Sequence, residues 1–312
     1  MCSRSPENDL TLDGVLLVDK EEGESSFSTV RKVKRILGVK KAGHAGTLDP
    51  FATGLLVVLL GEATKLSSFL MAGRKRYVAT LRLGSETDTL DRTGRVVRTR
   101  PVPILAPEEV REKMSLFLGE TTQVPPAFSA VKHKGRRAYE LARKGIFPAL
   151  KKRTVIIHRL DMLSLGLPGL TLLVECSGGT YIRSLAADLG EALGTGAHLT
   201  SLRRIASGAL SVDEAVSMAG LVGESAGAVL KKKMISLNES LEDVREYPLS
   251  GEAARKIRNG NQIGLDELGD RRTLCEGWLR LVKGQELVAM AEVRKSSAVV
   301  DKRVRILRVF TR

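Results

Sequence analysis

The chain has 312 residues, 43% of them hydrophobic, so it can bury a substantial core and is long enough for two domains. Its formal net charge of +14 favours a polyanionic partner, such as a nucleic acid, over a small neutral metabolite. The three cysteines and four histidines lack disulfide or zinc-ligand spacing, and no apolar run could cross a bilayer, so we expect a cytoplasmic protein without a bound metal.

The first predicted elements are a buried strand and a basic helix. Residues 14–19, GVLLVD, form an apolar run typical of a strand, and residues 26–38 have the period of an amphipathic helix. Serines at its start can cap this helix, and Gly38 can end it. Its polar face is rich in lysine and arginine, and Lys40 and Lys41 continue the charge toward the next loop. This continuity favours a surface that faces phosphates.

The next segment places one carboxylate in a glycine-rich loop. Residues 40–65 read KKAGHAGTLDPFATGLLVVLLGEATK, with Asp49 as the only acidic residue before Glu62. The glycines allow unusual backbone angles, and Pro50 holds Asp49 extended. Residues 55–60, LLVVLL, predict a strand buried on both faces. We interpret the segment as a rigidly anchored loop whose glycines let RNA approach the backbone.

Further elements alternate along the rest of the first 244 residues. A helix that begins after the Gly178–Gly179 turn has an apolar stripe and is predicted to be capped by Thr180. Arg183 lies off that stripe in the first turn, where the helix dipole disfavours a cation by about 0.3–1 kcal/mol. An arginine there should lower stability, which hints at a functional role. The other predicted elements are a short helix around 66–70, a strand at 76–84, a helix at 107–118, a basic loop leading into a helix at 121–145, a strand at 170–176 and helical residues at 220–235.

The tail differs from the rest of the chain and predicts a second domain. We place the boundary near residue 245, with one domain at 14–244 and another at 245–312. After one helix at 251–260, the tail has short strands, which suggests a compact barrel. It contains 15 lysines and arginines against 9 acidic residues. This excess of positive charge favours a module that contacts RNA.

Four segments, in order, resemble the TruB family, the bacterial tRNA pseudouridine-55 synthases. Residues 43–65 are similar to the family motif GHxGxLDPxAxGxLxxxxGxATK, which contains its catalytic aspartate. The other three segments are KRYVATLRLGSETDTLDRTG, QVPPAFSAVKHKGRRAYELARKG and CSGGTYIRSLAADLGEALGTGAHLTSLRR. The tail resembles a PUA domain, and the resemblance as a whole covers roughly residues 14–312.

The resemblance implies both a fold and an activity. The fold is an α+β pseudouridine-synthase domain, with a mixed, largely antiparallel central sheet flanked by helices, followed by a small PUA-like β-barrel. The activity is isomerisation of uridine 55 in the T loop of tRNA, in which the base is detached, turned and rejoined through carbon. Such a reaction needs no cofactor or metal, and we expect a monomer that binds the T arm of tRNA.

The resemblance also assigns the site residues. Asp49 is the catalytic carboxylate, Arg183 is the fixed cation beside it, and Tyr77 stacks on the extruded uracil. Five further residues are implied to contact the substrate or the RNA. His44 lies at the RNA interface, Asp91 is a second carboxylate, Lys20 binds a phosphate or Asp91, and Tyr181 and Leu202 belong to the pocket. Whether Asp49 attacks the ring, attacks the sugar or acts as a base stays open.

Two departures and two alternatives accompany this interpretation. Glu21 stands where the family usually has proline, which affects the local loop, and Phe128 stands where tyrosine is common, which removes a hydroxyl. A non-catalytic tRNA-binding or folding chaperone would explain the charge but not the unusual residues around Asp49. A phosphotransferase with an aspartyl nucleophile would need a DxDx[TV] loop and further carboxylates, which LDPFAT lacks.

Overall fold

The computed structural model describes residues 12–223, 226–264, 268, 275–295 and 302–310. The sequence leaves the role of the polar N-terminal residues 1–13 open, and residues 1–11 lie outside the described residues. None of the described helices is long and apolar enough to span a membrane. The described strands are β1 (Gly14–Lys20), β2 (Ala42–His44), β3 (Thr53–Leu60), β4 (Lys75–Leu83), β5 (Ser85–Thr87), β6 (Val96–Thr99), β7 (Gly119–Gln123), β8 (Lys132–His133), β9 (Arg136–Arg137), β10 (Arg153–Gly166), β11 (Gly169–Cys176), β12 (Ala197–Ser207), β13 (Leu210–Ser211), β14 (Val216–Ser217), β15 (Met234–Ile235), β16 (Arg245–Pro248), β17 (Gly277–Lys283), β18 (Glu286–Lys295) and β19 (Lys302–Val309).

Helices flank the strands along the chain. The α-helices are α1 (Ser26–Ile36), α2 (Ser67–Ala72), α3 (Pro107–Ser115), α4 (Ala138–Ala142), α5 (Ile182–Ala192), α6 (Met218–Gly223), α7 (Ala226–Lys233) and α8 (Gly251–Arg258). Short 3₁₀ helices occur at Gly61–Leu66, Val212–Glu214 and Glu239–Leu241. The predicted strands and helices each lie within a few residues of one of these elements, whereas the strands β7, β10 and β12 were not predicted.

A large mixed sheet forms the centre of the molecule. Its main strand order is β14-β1-β3-β12-β4-β11-β10-β7, and most neighbouring pairs are antiparallel. The β1–β14 and β3–β12 pairs are parallel. Helix α5 packs against β12, and α1 packs near β2. The predicted α+β fold with a mixed, largely antiparallel sheet is therefore confirmed.

Strand β3 is covered on both faces, as its sequence predicts. Every residue from Leu55 to Leu60 is fully buried. Leu55, Val57 and Leu59 join one apolar cluster, whereas the alternating residues Leu56, Val58 and Leu60 join another. Since β3 directly follows the Asp49 loop, this two-sided burial fixes the position where the loop ends.

The predicted cap of α5 is wrong. The residue before the helix is Tyr181, and its side chain makes no capping hydrogen bond. The Thr180 hydroxyl instead donates to the carbonyl of Ser177 at 2.9 Å, which stabilises the preceding turn. The backbone N–H of Tyr181 donates to Gln123 Oε1 at 3.0 Å, so a side chain on β7 satisfies this end of the helix.

The last four described strands form a separate sheet. Their order is β16-β17-β18-β19, and α8 packs on β17 and β18 around a local apolar cluster. The described ladders do not close this sheet, so the barrel stays a prediction, as does a boundary near residue 245. The sheet also contacts the first 244 residues, because Val282, Met290 and Phe310 share an apolar cluster with Val15 and Leu59.

Candidate active site

The Asp49 loop is tied down on both sides of its carboxylate. Leu48 and Phe51, its near neighbours, are buried in the cluster beneath the central sheet. The Ser26 hydroxyl accepts from the N–H of Leu48 at 2.8 Å. Lys20 Nζ contacts the carbonyl of Pro50 at 3.3 Å. These contacts leave little freedom for the backbone that carries Asp49, whose side chain keeps 34% of its surface exposed.

The guanidinium of Arg183 contacts both oxygens of the Asp49 carboxylate. Arg183 Nε lies 3.0 Å from Asp49 Oδ2, and Nη2 donates to Asp49 Oδ1 at 3.2 Å. The same side chain donates to the carbonyls of Thr89 and Phe128, each at 2.9 Å. With the whole residue only 3% exposed, Arg183 is not the surface arginine that its place in the first turn would suggest. It has an orientation fixed by several partners.

Asp91 is more buried than Asp49 and contacts the same guanidinium, that of Arg183. Its Oδ2 is 3.3 Å from Arg183 Nη1, and its Oδ1 accepts from the Thr89 hydroxyl and from the N–H of Thr93, at 2.8 and 2.9 Å. Leu90, between two of these residues, has a φ of 63°, which is rare for a residue with a side chain. Strain of this kind is found where a turn is held for function. The structure brings Asp91 to Arg183 and leaves only 3% of the residue exposed.

Electrostatics at Asp49 combine opposing effects. Burial raises the pKa of the Asp49 carboxyl, Arg183 lowers it, and the charge of Asp91 raises it again. The net direction is upward from the ordinary value. The site therefore holds a carboxylate that is shielded from water on one side yet is kept available for reaction by a fixed cation.

Lys20 supports the loop from inside and does not take either predicted partner. It is fully buried, and its ammonium donates to the carbonyls of Glu21, Glu24 and Pro50. A fully buried ammonium cannot reach an RNA phosphate, and its partners do not include Asp91, which contradicts the two roles expected of it. Burial lowers the pKa of Lys20 to about 8.

The two residues that depart from the family pattern each contact a residue of the site through a backbone carbonyl. Glu21 accepts from Lys20 with its carbonyl, and its side chain is exposed. A proline would offer the same carbonyl at this position. Phe128 likewise accepts from Arg183 with its carbonyl, so the missing hydroxyl does not affect that contact.

Tyr77 and Leu202 lie on the central strands beneath the loop. Both are buried and belong to the apolar cluster that also contains Leu48 and Phe51. Burial raises the pKa of the Tyr77 phenol, against an opposing effect from Arg204. The structure thus brings both residues to the apolar cluster that supports the Asp49 loop.

His44 and Tyr181 occupy the margins of the site. His44, on β2, is half-buried, and its Nδ1 has no hydrogen-bond partner among the described residues. Burial, and secondarily Arg204, lower the pKa of His44, so the imidazole is held neutral. Tyr181 precedes α5, and the guanidinium of Arg153 lies 5.5 Å from the centre of its ring.

Sequence reasoning missed Arg204, the most deeply buried charged residue next to the site apart from Lys20. Its Nε donates to the carbonyl of Leu55 at 2.7 Å, and its Nη2 donates to that of Gly46 at 3.0 Å. A signal was present, because Arg204 has the same strand parity as the buried Leu202 and so falls on a core-facing position. A charged residue at such a position requires compensating partners.

The glycines that bracket Asp49 serve contacts within the protein. Gly46 has a φ of +103°, and a Cβ there would lie 3.3 Å from Arg204 Nη1. Gly54 has a φ of +96°, and a Cβ would lie 2.3 Å from the carbonyl oxygen of Arg204. Close approach to Arg204 on β12 therefore explains these two glycines, and the approach of RNA to the loop stays a prediction.

Within the described ranges, no group of three or more His, Cys, Asp or Glu side chains could hold a metal ion. Asp49 and Asp91 instead share a guanidinium, which supplies the positive charge at this site. The arrangement can present one oriented carboxylate to a base or sugar held above it.

Comparison with known proteins identifies the family. The model of the TruB family pseudouridylate synthase N-terminal domain matches residues 34–182, and that of the tRNA pseudouridylate synthase B C-terminal domain matches residues 183–244. The tRNA pseudouridine synthase B of Syntrophus aciditrophicus is 43% identical over 309 residues, covering 96% of this chain and 99% of that protein. That of Geobacter sulfurreducens is 40% identical over 303 residues, covering 96% and 100%.

Solved structures show the same architecture. A Cbf5–Nop10–Gar1 complex matches with a TM-score of 0.75 at 26% identity, covering 96% of this chain and 85% of the matched chain. An H/ACA RNP bound to a substrate RNA matches with a TM-score of 0.72 at 24% identity, covering 99% and 88%. With family models that span residues 34–244 and relatives at about 40% identity over nearly its whole length, the chain belongs to the TruB family of pseudouridylate synthases.

Proposed function

We propose that this protein is a tRNA pseudouridine synthase that converts uridine 55 of the T loop to pseudouridine, with Asp49 as its catalytic carboxylate. The observation that carries the proposal is the placement of Asp49. It is a partly exposed carboxylate between the buried side chains of Leu48 and Phe51, and Arg183 contacts both of its oxygens. The relatives named tRNA pseudouridine synthase B, at 40–43% identity, support the reaction and the substrate.

The chemistry fits one carboxylate with a fixed cation. Detaching the base, turning it and rejoining it through carbon is an isomerisation, so no redox partner or energy source enters. A carboxylate can act in such a reaction as a covalent nucleophile or as a base. Arg183 orients Asp49 for either role. Tyr77 supplies a flat apolar ring on which an extruded uracil can stack, and Leu202 belongs to the same wall.

Binding must supply the energy to extract the base. A uridine within a folded loop has to be flipped, at a cost of a few kcal/mol. Backbone phosphate contacts can offset this cost. The exposed face of α1 offers Arg31, Lys34 and Arg35, and the hairpin of β8 and β9 adds further basic side chains. His44 and Tyr181, at the margin of the site, are suited to contact the opened T loop.

The C-terminal domain has a supporting role in this proposal. Residues 245–312 carry a net charge of +6, from 15 basic and 9 acidic residues, which suits contact with the tRNA backbone. We assign them as a PUA-like RNA-binding domain that follows a catalytic domain at 14–244. We further propose that the protein acts as a monomer and that, with tRNA as its substrate, it is located in the cytoplasm.

Pseudouridine mapping on T-arm RNA incubated with the purified protein tests the proposal. The expected result is modification at position 55 and at no other uridine of the arm. A non-catalytic tRNA-folding protein would instead raise the folded fraction of tRNA without forming pseudouridine. Absence of pseudouridine under conditions where the RNA is bound and folded would overturn the proposed activity.

A further inference from the structure

Arg204 is a buried guanidinium whose charge is not matched by a carboxylate. The residue is 1% exposed, and no acidic side chain of the described chain lies within ion-pair distance of it. Its neighbour Arg203, by contrast, makes two contacts with Asp19, at 3.0 and 2.7 Å. Removing a charge from water is expensive unless hydrogen bonds compensate it. Arg204 must therefore do something that a leucine at this core-facing position could not.

Its hydrogen bonds go to main-chain carbonyls on either side of Asp49, one in the loop and one in strand β3. Nη2 donates to the carbonyl of Gly46, three residues before Asp49, and Nε donates to the carbonyl of Leu55, six residues after it. One planar group thus spans the base of the loop. The carbonyl groups it binds are main-chain atoms, so the contact fixes the path of the backbone as well as its side chains.

The loop is shaped to receive this residue. Gly46 approaches the guanidinium and Gly54 approaches the backbone of Arg204, and both have positive φ values. A side chain at Gly54 would collide with the main chain of β12 at 2.3 Å. The contact at Gly54 involves the main chain of Arg204 and is independent of the hydrogen bonds made by its guanidinium. Two separate contacts therefore join this segment to Arg204.

Arg204 also connects the loop to Tyr77. The two residues are directly opposite each other in the antiparallel ladder between β12 and β4, so their side chains leave the same face of the sheet. The guanidinium is near enough to lower the pKa of the Tyr77 phenol against the effect of burial. A shift of Arg204 would therefore disturb both the aspartate loop and the aromatic ring.

We propose that Arg204 is a positioning residue of this site, which fixes the main chain on both sides of Asp49 to strand β12 beside Tyr77. The inference rests on the proposed function, because it assigns Arg204 a part in setting the rate of pseudouridine formation. A displacement of about 1 Å at a reacting group can lower a rate by about 10²-fold. Since Arg204 is buried, its effect should fall on the chemical step and not on RNA binding.

The test compares Arg204→Met and Arg204→Lys with a matched control, Lys75→Met. Lys75 is also buried and donates to two main-chain carbonyls, of Leu70 and Gly73, at 2.9 and 2.8 Å, but these do not flank Asp49. Each full-length variant is examined by thermal melting, by tRNA binding and by the single-turnover rate at saturating protein. The rate is expressed per folded molecule below the melting transition.

We expect all three variants to melt earlier than the wild type, and all three to bind tRNA with nearly wild-type affinity. The single-turnover rate should fall by about 10²-fold in Arg204→Met and stay near the wild-type value in Lys75→Met. Arg204→Lys should recover only part of the loss, because an ammonium cannot span both carbonyls as a planar fork does. If Arg204→Met does not fold, Arg204→Lys decides the matter.

Two results would overturn the inference. One is a wild-type rate per folded molecule in the folded Arg204 variants, which would make Arg204 a purely structural residue. The other is an equal loss of rate in Lys75→Met, which would make the effect general to buried cations. Failure of the wild-type protein to form pseudouridine would refute the proposed function instead, and is recognised separately because the wild type is measured in every experiment.

Discussion

Arg183 and Asp91 form a buried ion pair behind the exposed carboxylate of Asp49. Arg183 Nη1 lies 3.3 Å from Asp91 Oδ2, and both side chains are only 4% exposed. Asp91 is in turn held by the Thr89 hydroxyl and the N–H of Thr93. One guanidinium therefore joins a buried carboxylate to the one that we propose to be catalytic, and the orientation of Asp49 depends on a pair that is almost completely buried.

The first prediction concerns the stability of Arg183→Ala. The position of Arg183 in the first turn of a helix suggests that its removal should leave the fold equally or more stable. The structure gives the opposite expectation, because the variant would leave Asp91 buried without its cation. We expect a loss of about 3–5 kcal/mol, measured by urea unfolding.

A matched control is Arg203→Ala. Asp19, the partner of Arg203, is partly exposed, so losing this ion pair should lower the free energy of unfolding by only about 0–1 kcal/mol. The single-turnover rate should fall sharply in Arg183→Ala, and Arg183→Lys should recover little, since a lysine cannot contact both oxygens of Asp49 in the same way. An Arg183→Ala protein as stable and as active as the wild type would show that the buried pair has no such role.

The second prediction concerns Asp49→Asn. The amide keeps the shape of the carboxylate but is a poor nucleophile and base, so conversion should fall by about 10³-fold or more, equivalent to about 4 kcal/mol of transition-state stabilisation. The affinity for tRNA should be nearly unchanged. Asp161→Asn, at a surface ion pair with Arg159, is the control. Steady conversion by Asp49→Asn, with deamidation excluded, would remove Asp49 from the central role.

The third prediction concerns the dependence of the rate on pH. Only the ionised form of Asp49 can act, so the single-turnover rate should fall as pH drops through its pKa. Burial raises that pKa, and the midpoint of the acid limb should lie above the ordinary aspartate value of about 3.9.

Substitutions at two neighbours of Asp49 should move the midpoint of the acid limb in opposite directions. Arg183→Lys keeps a cation but loosens its contact, which should move the acid limb further up. Asp91→Asn removes a negative charge, which should move it down. Melting curves at each pH establish that the protein stays folded. Acid limbs that coincide in all three proteins would show that another group controls the titration.

The fourth prediction concerns the C-terminal domain. Its charge suggests that deleting residues 245–312 should weaken tRNA binding and leave the chemistry intact. The structure adds that deletion would expose the apolar residues that pack with Val282, Met290 and Phe310, so the truncated chain should also lose stability.

A point substitution on α8 separates charge from packing. Arg255 is exposed. Arg255→Ala should lower the slope of log Kd against log salt concentration by about the amount that corresponds to one phosphate contact. The single-turnover rate at saturating protein should not change. Arg111→Ala, on α3, is the control for the loss of an exposed arginine. An unchanged salt slope in Arg255→Ala would place this residue away from the RNA.

The fifth prediction is that turnover does not need a metal ion. With tRNA folded beforehand, an excess of chelator should leave the rate unchanged, since the positive charge beside Asp49 is supplied by Arg183. The structure of the tRNA is checked by its melting profile in the same buffer. Loss of activity that added metal restores without refolding of the RNA would contradict the prediction.

Local patterns in the sequence determined many of the elements and singled out Asp49, the proposed catalytic residue. The apolar run from Leu55 to Leu60 predicts a strand buried on both faces, because such a run leaves no polar side for solvent, and the structure confirms it. The motif around Asp49, and three more motifs in the order typical of the family, led to the same family that the comparisons show.

Contacts between distant parts of the chain decided the rest. Asp49 and Arg183 are 134 positions apart in the sequence. Hydrophobic periodicity cannot predict whether the guanidinium of Arg183 contacts Asp49, Asp91 or both. For the same reason, the sequence did not predict the contacts of Arg204 with the main chain around Asp49, and it predicted the wrong partners for Lys20. A charged side chain is placed by the carbonyls and carboxylates that compensate its burial, and those become neighbours only when the strands β1, β3, β12 and β4 have assembled into one sheet.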